Sequence, residues 1–129
     1  MNAQIRVTPA ASTRADPTPW GGLRWYADAA NENSDALTVG RCTLLPACAN
    51  PRHRHPNCEE VLVVLEGEIE HTAADETTCR MGPGDVVTIP PGVWHNALNV
   101  GASKAELLIV FSSAHRQTEL MDTDTVAEG

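Results

Sequence analysis

Aromatic side chains are scarce in this sequence: Trp20, Trp25, Tyr26, Trp94 and Phe111 are all it has. A core must therefore be built mainly from Val, Leu and Ile, which suits pleated β structure. Positive charge is scarce as well, with 9 Lys and Arg against 17 Asp and Glu and a formal net charge of −8. That balance excludes the Lys/Arg surface needed to neutralise nucleic-acid phosphates or to dock on anionic lipid. Neither nucleic acid nor membrane is an expected partner, and the acidity serves solubility. No apolar run reaches the length that spans a bilayer. The opening Met1–Pro9 lacks the apolar stretch of a signal peptide, so a cytoplasmic location is expected. Cys42, Cys48, Cys58 and Cys79 form no C-x-x-C pair, which excludes a zinc knuckle and a thioredoxin-type motif. Most are expected to be small buried hydrophobes; Cys58 stands out because it lies between a histidine pair and two glutamates.

What is present is a succession of short apolar or alternating runs: Leu23–Ala27, Ala36–Leu45, Glu60–Leu65, Glu68–Thr72, Thr77–Met81, Asp85–Ile89, Trp94–Val100 and Lys104–Ser112. Many short strands at regular spacing, with no sustained 3.6-residue period, predict an all-β sandwich or barrel in a single domain. Glu66-Gly67 supplies a positive-φ hairpin position, and Gly82-Pro83-Gly84-Asp85 and Pro90-Pro91-Gly92 are stiff corners. Residues 1–22, with Pro9, Pro17 and Pro19, read as an extended N-terminal arm, residues 23–112 as the barrel, and residues 113–129 as a polar acidic tail. Gln117–Met121 is the place in that tail where a helical turn could form; otherwise it is loose. Val61–Leu65 and Leu107–Phe111 are apolar at every position, so both of their faces want cover. A second copy of the chain packed through a sheet, a homodimer, would provide it.

Two stretches carry chemistry. In Pro51–Glu60, His53 and His55 are two apart on an extended segment and share a face. Glu60 lies an odd number of residues past His55, but Pro56-Asn57 turns the chain back, so the carboxylate can return beside the histidines with Leu62 and Val64 on its side. Glu59 has the opposite parity and points away. Forty residues after His55, Pro90–Asn96 delivers His95 from a Pro/Gly corner, with Asn99 on the same strand face and Trp94 on the other. Three imidazoles and one carboxylate favour a divalent transition metal such as Fe, Mn, Ni, Co, Zn or Cu over Ca or Mg, one ion per chain. His71 and His115 belong to neither stretch and read as structural. Arg52 and Arg54 alternate with the histidines and point away from the ion. Arg41 binds a substrate carboxylate if its face of an early strand lines the barrel, and is a solvent-facing arginine otherwise.

These residues resemble the two motifs of the cupin superfamily, in its small single-domain form. The first motif, G-x5-H-x-H-x4-E-x6-G, is met by His53, His55, Glu60 and Gly67, with Ala47 in place of the leading glycine. The second, G-x5-P-x-G-x2-H-x3-N, is met throughout by Gly84, Pro90, Gly92, His95 and Asn99. Motif 1 thus spans about 47–67 and motif 2 about 84–99. The resemblance implies a jelly-roll-like barrel holding a metal near one mouth on His53, His55, Glu60 and His95. It leaves the conformation of the loop at Ala47 open. It implies a small-molecule ligand, with Arg41, Leu62, Val64 and Asn99 as candidate contacts. The reaction classes it brings are dioxygenation, isomerisation, decarboxylation and lyase chemistry on a sugar derivative, organic acid or enediol. A non-catalytic metal- or metabolite-binding module is the other reading.

Overall fold

A computed structural model describes residues 4–121 of the chain. After a single 3-10 turn at Ala10–Ser12, all regular structure in the described residues is β. The strands are β1 (Arg14–Thr18), β2 (Gly21–Ala27), β3 (Thr38–Leu44), β4 (His53–Arg54), β5 (Glu60–Glu66), β6 (Ile69–Thr72), β7 (Thr78–Met81), β8 (Val86–Ile89), β9 (Asn96–Asn99), β10 (Ala105–Phe111) and β11 (Glu119–Leu120). A six-stranded sheet runs in the order β1-β2-β3-β10-β5-β8 and faces a three-stranded sheet, β7-β6-β9. Every pairing is antiparallel. No helix among the described residues is long and apolar enough to cross a membrane.

The alternation of side chains explains how so few aromatics suffice. On β3 the even positions Thr38, Gly40, Cys42 and Leu44 are buried while Val39, Arg41 and Thr43 are half-exposed. Leu62 and Val64 of β5 and Leu107, Ile109 and Phe111 of β10 continue that inner layer, and Ile69, Met81 and Ala97 meet it from the smaller sheet. Trp25 packs against Phe111 with ring centroids 6.2 Å apart and donates its indole N–H to Asp16. Burying each such side chain contributes roughly 1.5–3 kcal/mol, so the aliphatic layer carries most of the stabilisation.

The runs that are apolar at every position keep this alternation. Val61, Val63, Leu108 and Val110 lie on the outer face of the large sheet, half-exposed within one chain. Register places Val110 between Val39 and Val61, and Leu108 between Arg41 and Val63. The outer face is therefore a continuous aliphatic patch with a polar border where Arg41 Nε donates to Glu106 at 2.8 Å.

Two terminal segments join the sheets. Within residues 1–22, Arg14–Thr18 is an edge strand hydrogen-bonded to β2, and Pro17 sits on it because an edge tolerates a missing donor. In the tail, Glu119–Leu120 is a short strand paired with Arg54 and His53, not a helical turn. Its own sequence has little helical drive, and the open edge of β4 supplies partners for its backbone groups. The part of the acidic tail from Asp122 onward, with Asp124 and Glu128, lies outside the described residues.

Two turn positions fix the strand ends beside the site. Gly67 has φ +90, and a Cβ there would lie 2.9 Å from the Ala105 backbone, so both conformation and space demand glycine. Ala47, which replaces the first motif glycine, takes φ 65 all the same. The loop thus keeps the left-handed turn a glycine would make, held by Ala47 N–H to the Asn99 carbonyl at 3.2 Å and Cys48 N–H to Leu45 at 3.0 Å. A left-handed alanine costs on the order of 1 kcal/mol. Ala47 is exposed, so Ala47→Gly removes that cost with no packing loss. The variant is expected to be more stable by about 0.5–1 kcal/mol in urea melts; unchanged or lower stability would contradict the strain at this position.

Candidate metal centre

The centre forms where the two motif strands meet end to end. His53 and His95 face each other as a mutual backbone pair, His53 N–H to His95 O at 3.0 Å and His95 N–H to His53 O at 2.8 Å. Their rings consequently leave the same side, with centroids 4.3 Å apart. His55 follows on that side, its carbonyl accepting from Gly92 N–H at 2.9 Å across the Pro/Gly corner. The chain then turns at Asn57, whose amide donates to His115 O and whose side-chain oxygen accepts from Gln117 N–H. Glu60 opens the return strand with its side chain inward, whereas Glu59 is exposed. His53, His55, Glu60 and His95 are all buried, and one donor atom from each lies within 4.8 Å of the others.

Each imidazole is anchored by its far nitrogen. His53 Nδ1 lies 2.7 Å from Pro51 O, His95 Nδ1 2.9 Å from Val93 O, and His55 Nδ1 2.9 Å from Gln117 O. A carbonyl only accepts, so every Nδ1 carries the proton and every Nε2 presents a lone pair. Those lone pairs converge on a carboxylate: Glu60 Oε1 is 3.0 Å from His95 Nε2 and 3.2 Å from His55 Nε2. Between neutral rings and the carboxylate these acceptors repel; a proton on Nε2 or a metal ion among them relieves the repulsion. His55 Nε2 is correspondingly a buried polar atom with no hydrogen-bond partner. The donor set fits a divalent metal bound through three Nε2 atoms and one carboxylate oxygen.

Burial pushes His53 down to about 3, helped by the neighbouring His95 and His55. Burial alone would raise the Glu60 carboxyl, but His55 and His95 overcome it and hold Glu60 below the usual carboxylate range. The Glu60 anion and a neutral His53 are forms a metal requires.

A cavity of about 20 Å³, room for about one water-sized group, adjoins the ligands. Leu23, Leu62, Leu107 and Ile109 form its apolar wall, and Asn50, Asn96, Cys42 and His71 contribute its other side chains. Leu62 is thus beside the site. Val64 is fully buried one step deeper in the core and is not part of the lining. Asn99 is spent on structure, donating to Leu44 O and Ser103 O and accepting from Gly101 N–H, so it secures the end of β9. Arg41 is on the opposite face of the large sheet, paired with Glu106, because β3 turns its odd positions outward. It cannot meet a ligand at the metal. Arg54 stacks over Trp94 at 4.5 Å and Arg52 donates to Asn96, and neither is among the clustered donors. Cys58 is core, and burial raises its thiol. His115 is exposed.

Motif spacing gave no sign of two contributors. The tail reaches the centre through the Gln117 carbonyl, which holds His55. His71, on β6, is buried among the site residues and stacked on His95 at 5.8 Å and 17°. Burial, then His95, lowers it to about 4. The available signal was parity: His71 shares a strand face with the core residue Ile69.

Comparison with known proteins agrees with this architecture. The family described as "Cupin domain" matches residues 40–111. Germin-like protein 1 of Brassica napus is 33% identical over 94 residues, covering 70% of this chain and 45% of its own length. A gentisate 1,2-dioxygenase from a Ralstonia species is 41% identical over 63 residues, 48% of this chain and 17% of that one. The chain spans less than half the length of these curated relatives. Among solved structures, the polyketide cyclase RemF from Streptomyces resistomycificus superposes with a TM-score of 0.74 at 20% identity, over 94% of this chain and 88% of that one. This last likeness speaks for the fold alone.

The depressed imidazoles give the metal-free chain a definite pH dependence. Unfolded, His53 and His71 take up protons near 6.5; folded, they resist until about 3 and 4. Between about 6.5 and 4 the unfolded state binds more protons, so stability falls as pH falls, by up to about 1.4 kcal/mol per pH unit for each histidine. Urea melts of metal-free protein at pH 7, 5.5 and 4.5 should show this decline. A flat profile would contradict the burial of neutral imidazoles.

Proposed function

The chain belongs to the cupin domain family, and from that premise we propose that it is a metal-dependent cupin enzyme acting on a small oxygen-rich molecule. A sugar derivative, an organic acid or an enediol is the substrate class, and dioxygenase, isomerase, decarboxylase or lyase chemistry the reaction range. One observation carries the reading: four buried donors, three of them imidazoles held by Nδ1–H on backbone carbonyls with Nε2 turned inward, share a single point. A divalent transition ion held there supplies Lewis acidity and a coordination position for the substrate's oxygen atoms.

The chain's own residues do the rest. His53, His55, His95 and Glu60 hold the ion, and the carbonyls of Pro51, Gln117 and Val93 keep the rings in register with it. Leu62, Leu107 and Ile109 exclude bulk water, which strengthens every electrostatic interaction inside. Glu60 serves as a ligand and not as a base. The small cavity, about 20 Å³, favours a second reading, a non-catalytic metal- or metabolite-binding module. The gentisate 1,2-dioxygenase is matched over only 17% of its length, and the reading does not choose among these reaction classes.

The same reading includes a homodimer packed through Val39, Val61, Val63, Leu108 and Val110, since this aliphatic face is only half covered within one chain. It includes a cytoplasmic location, for which the four free cysteines speak.

Two tests follow. His53→Ala and His95→Ala should each lose most of the bound metal measured by elemental analysis, while Arg41→Ala keeps it. Undiminished metal in both histidine variants removes the site. Full metal loading without turnover or oxygen uptake across acids, sugars and enediols favours the binding module. For the assembly, light scattering should give about twice the 13.8 kDa chain mass, and Val63→Glu with Leu108→Glu should return it to one. A monomeric parent chain contradicts the dimer.

A further inference from the structure

His71 stands apart from the other polar side chains of the metal cavity. Asn50 Oδ1 accepts from Ala97 N–H at 2.9 Å, and Asn96 both accepts from Arg52 and donates to Asn50 O. The ligand histidines spend Nδ1 on carbonyls and turn Nε2 toward the shared donor cluster. His71 lines the same cavity, is only 5% exposed, and its Nε2 is buried with no hydrogen-bond partner. An unpartnered buried imidazole nitrogen is costly, so a group that satisfies it is favoured there. His71 is also not one of the clustered donors: the set within mutual ligating distance is His53, His55, Glu60 and His95. Its ring is nearly parallel to that of His95, with centroids 5.8 Å apart, which places it beside the four clustered donors and outside their set.

We propose that His71 is the ligand-contacting residue of this centre: its Nε2 hydrogen-bonds the small oxygen- or nitrogen-donor molecule that takes the coordination position left open by the four side chains. The inference rests on the metal reading above and deepens it. The cavity beside His71 has room for about one water-sized group, so the contact is made to the donor atom nearest the ion and not to a distant part of a substrate. A neutral imidazole can donate or accept, and an anionic donor selects the tautomer with the proton on Nε2.

The test uses the full chain loaded with Co(II), with azide as the probe and visible absorption as the readout. His71→Phe keeps a ring against His95 and removes the nitrogen; His71→Leu removes both, in case the larger ring is not accommodated; His71→Gln retains a donor. All three are expected to hold as much cobalt as the parent chain. Azide should bind about tenfold or more weakly to the Phe and Leu variants, with most of the affinity restored in the Gln variant. Equal azide affinity in the parent, Phe and Leu proteins overturns the proposal. So does loss of cobalt from folded His71 variants, which would make His71 a ligand or a support for one. A parent chain that takes up cobalt but not azide overturns the proposal and leaves the four-ligand centre standing. A parent chain that takes up no cobalt overturns both.

Discussion

The site depends on the convergence of four buried donor atoms on one point, an arrangement that suits a metal ion. Three imidazole lone pairs and a carboxylate oxygen are brought together in a buried pocket, each histidine fixed by a backbone carbonyl on its far nitrogen. Burying such a convergence away from water is expensive. A metal ion that fits these donors would add its binding to the stability of the folded state.

The barrel is the means of imposing it. The ligands come from β4, the turn after it, the first residue of β5 and the residue before β9, so no short peptide could bring them together. The mutual backbone pair of His53 and His95 ties the two motifs across a gap of 42 positions. The aliphatic layer of Leu62, Leu107 and Ile109 closes the pocket from the core side. The tail completes it, because its short strand β11 lies on β4 and brings the Gln117 carbonyl to His55. Fold and site are therefore one construction: the strand ends that the sheet needs are the places where the ligands sit.

Much of this was legible in the chain. Strand alternation and turn chemistry located the core strands, and parity across Pro56-Asn57 distinguished Glu60, now buried, from Glu59, now exposed. What escaped did so for physical reasons. Arg41 could be assigned to either face until the register of β3 against β10 turned it outward to Glu106. Val64 has the right parity but the wrong depth, since alternation states the face and not the position along the barrel axis. Asn99 is taken up by securing a strand end, which its place on the ligand-bearing face does not reveal. His71 and Gln117 belong to segments with no motif; their approach to the site follows from pairing between distant strands, to which local spacing is blind. Ala47 shows the converse, a departure in residue type that leaves the backbone turn in place.

X-ray absorption at the edge of a bound transition metal tests the convergence most directly. A first shell of three imidazole nitrogens and at least one oxygen, at about 2.0–2.2 Å, is what the arrangement predicts. A shell with fewer than three imidazoles, or one containing sulfur, would contradict it.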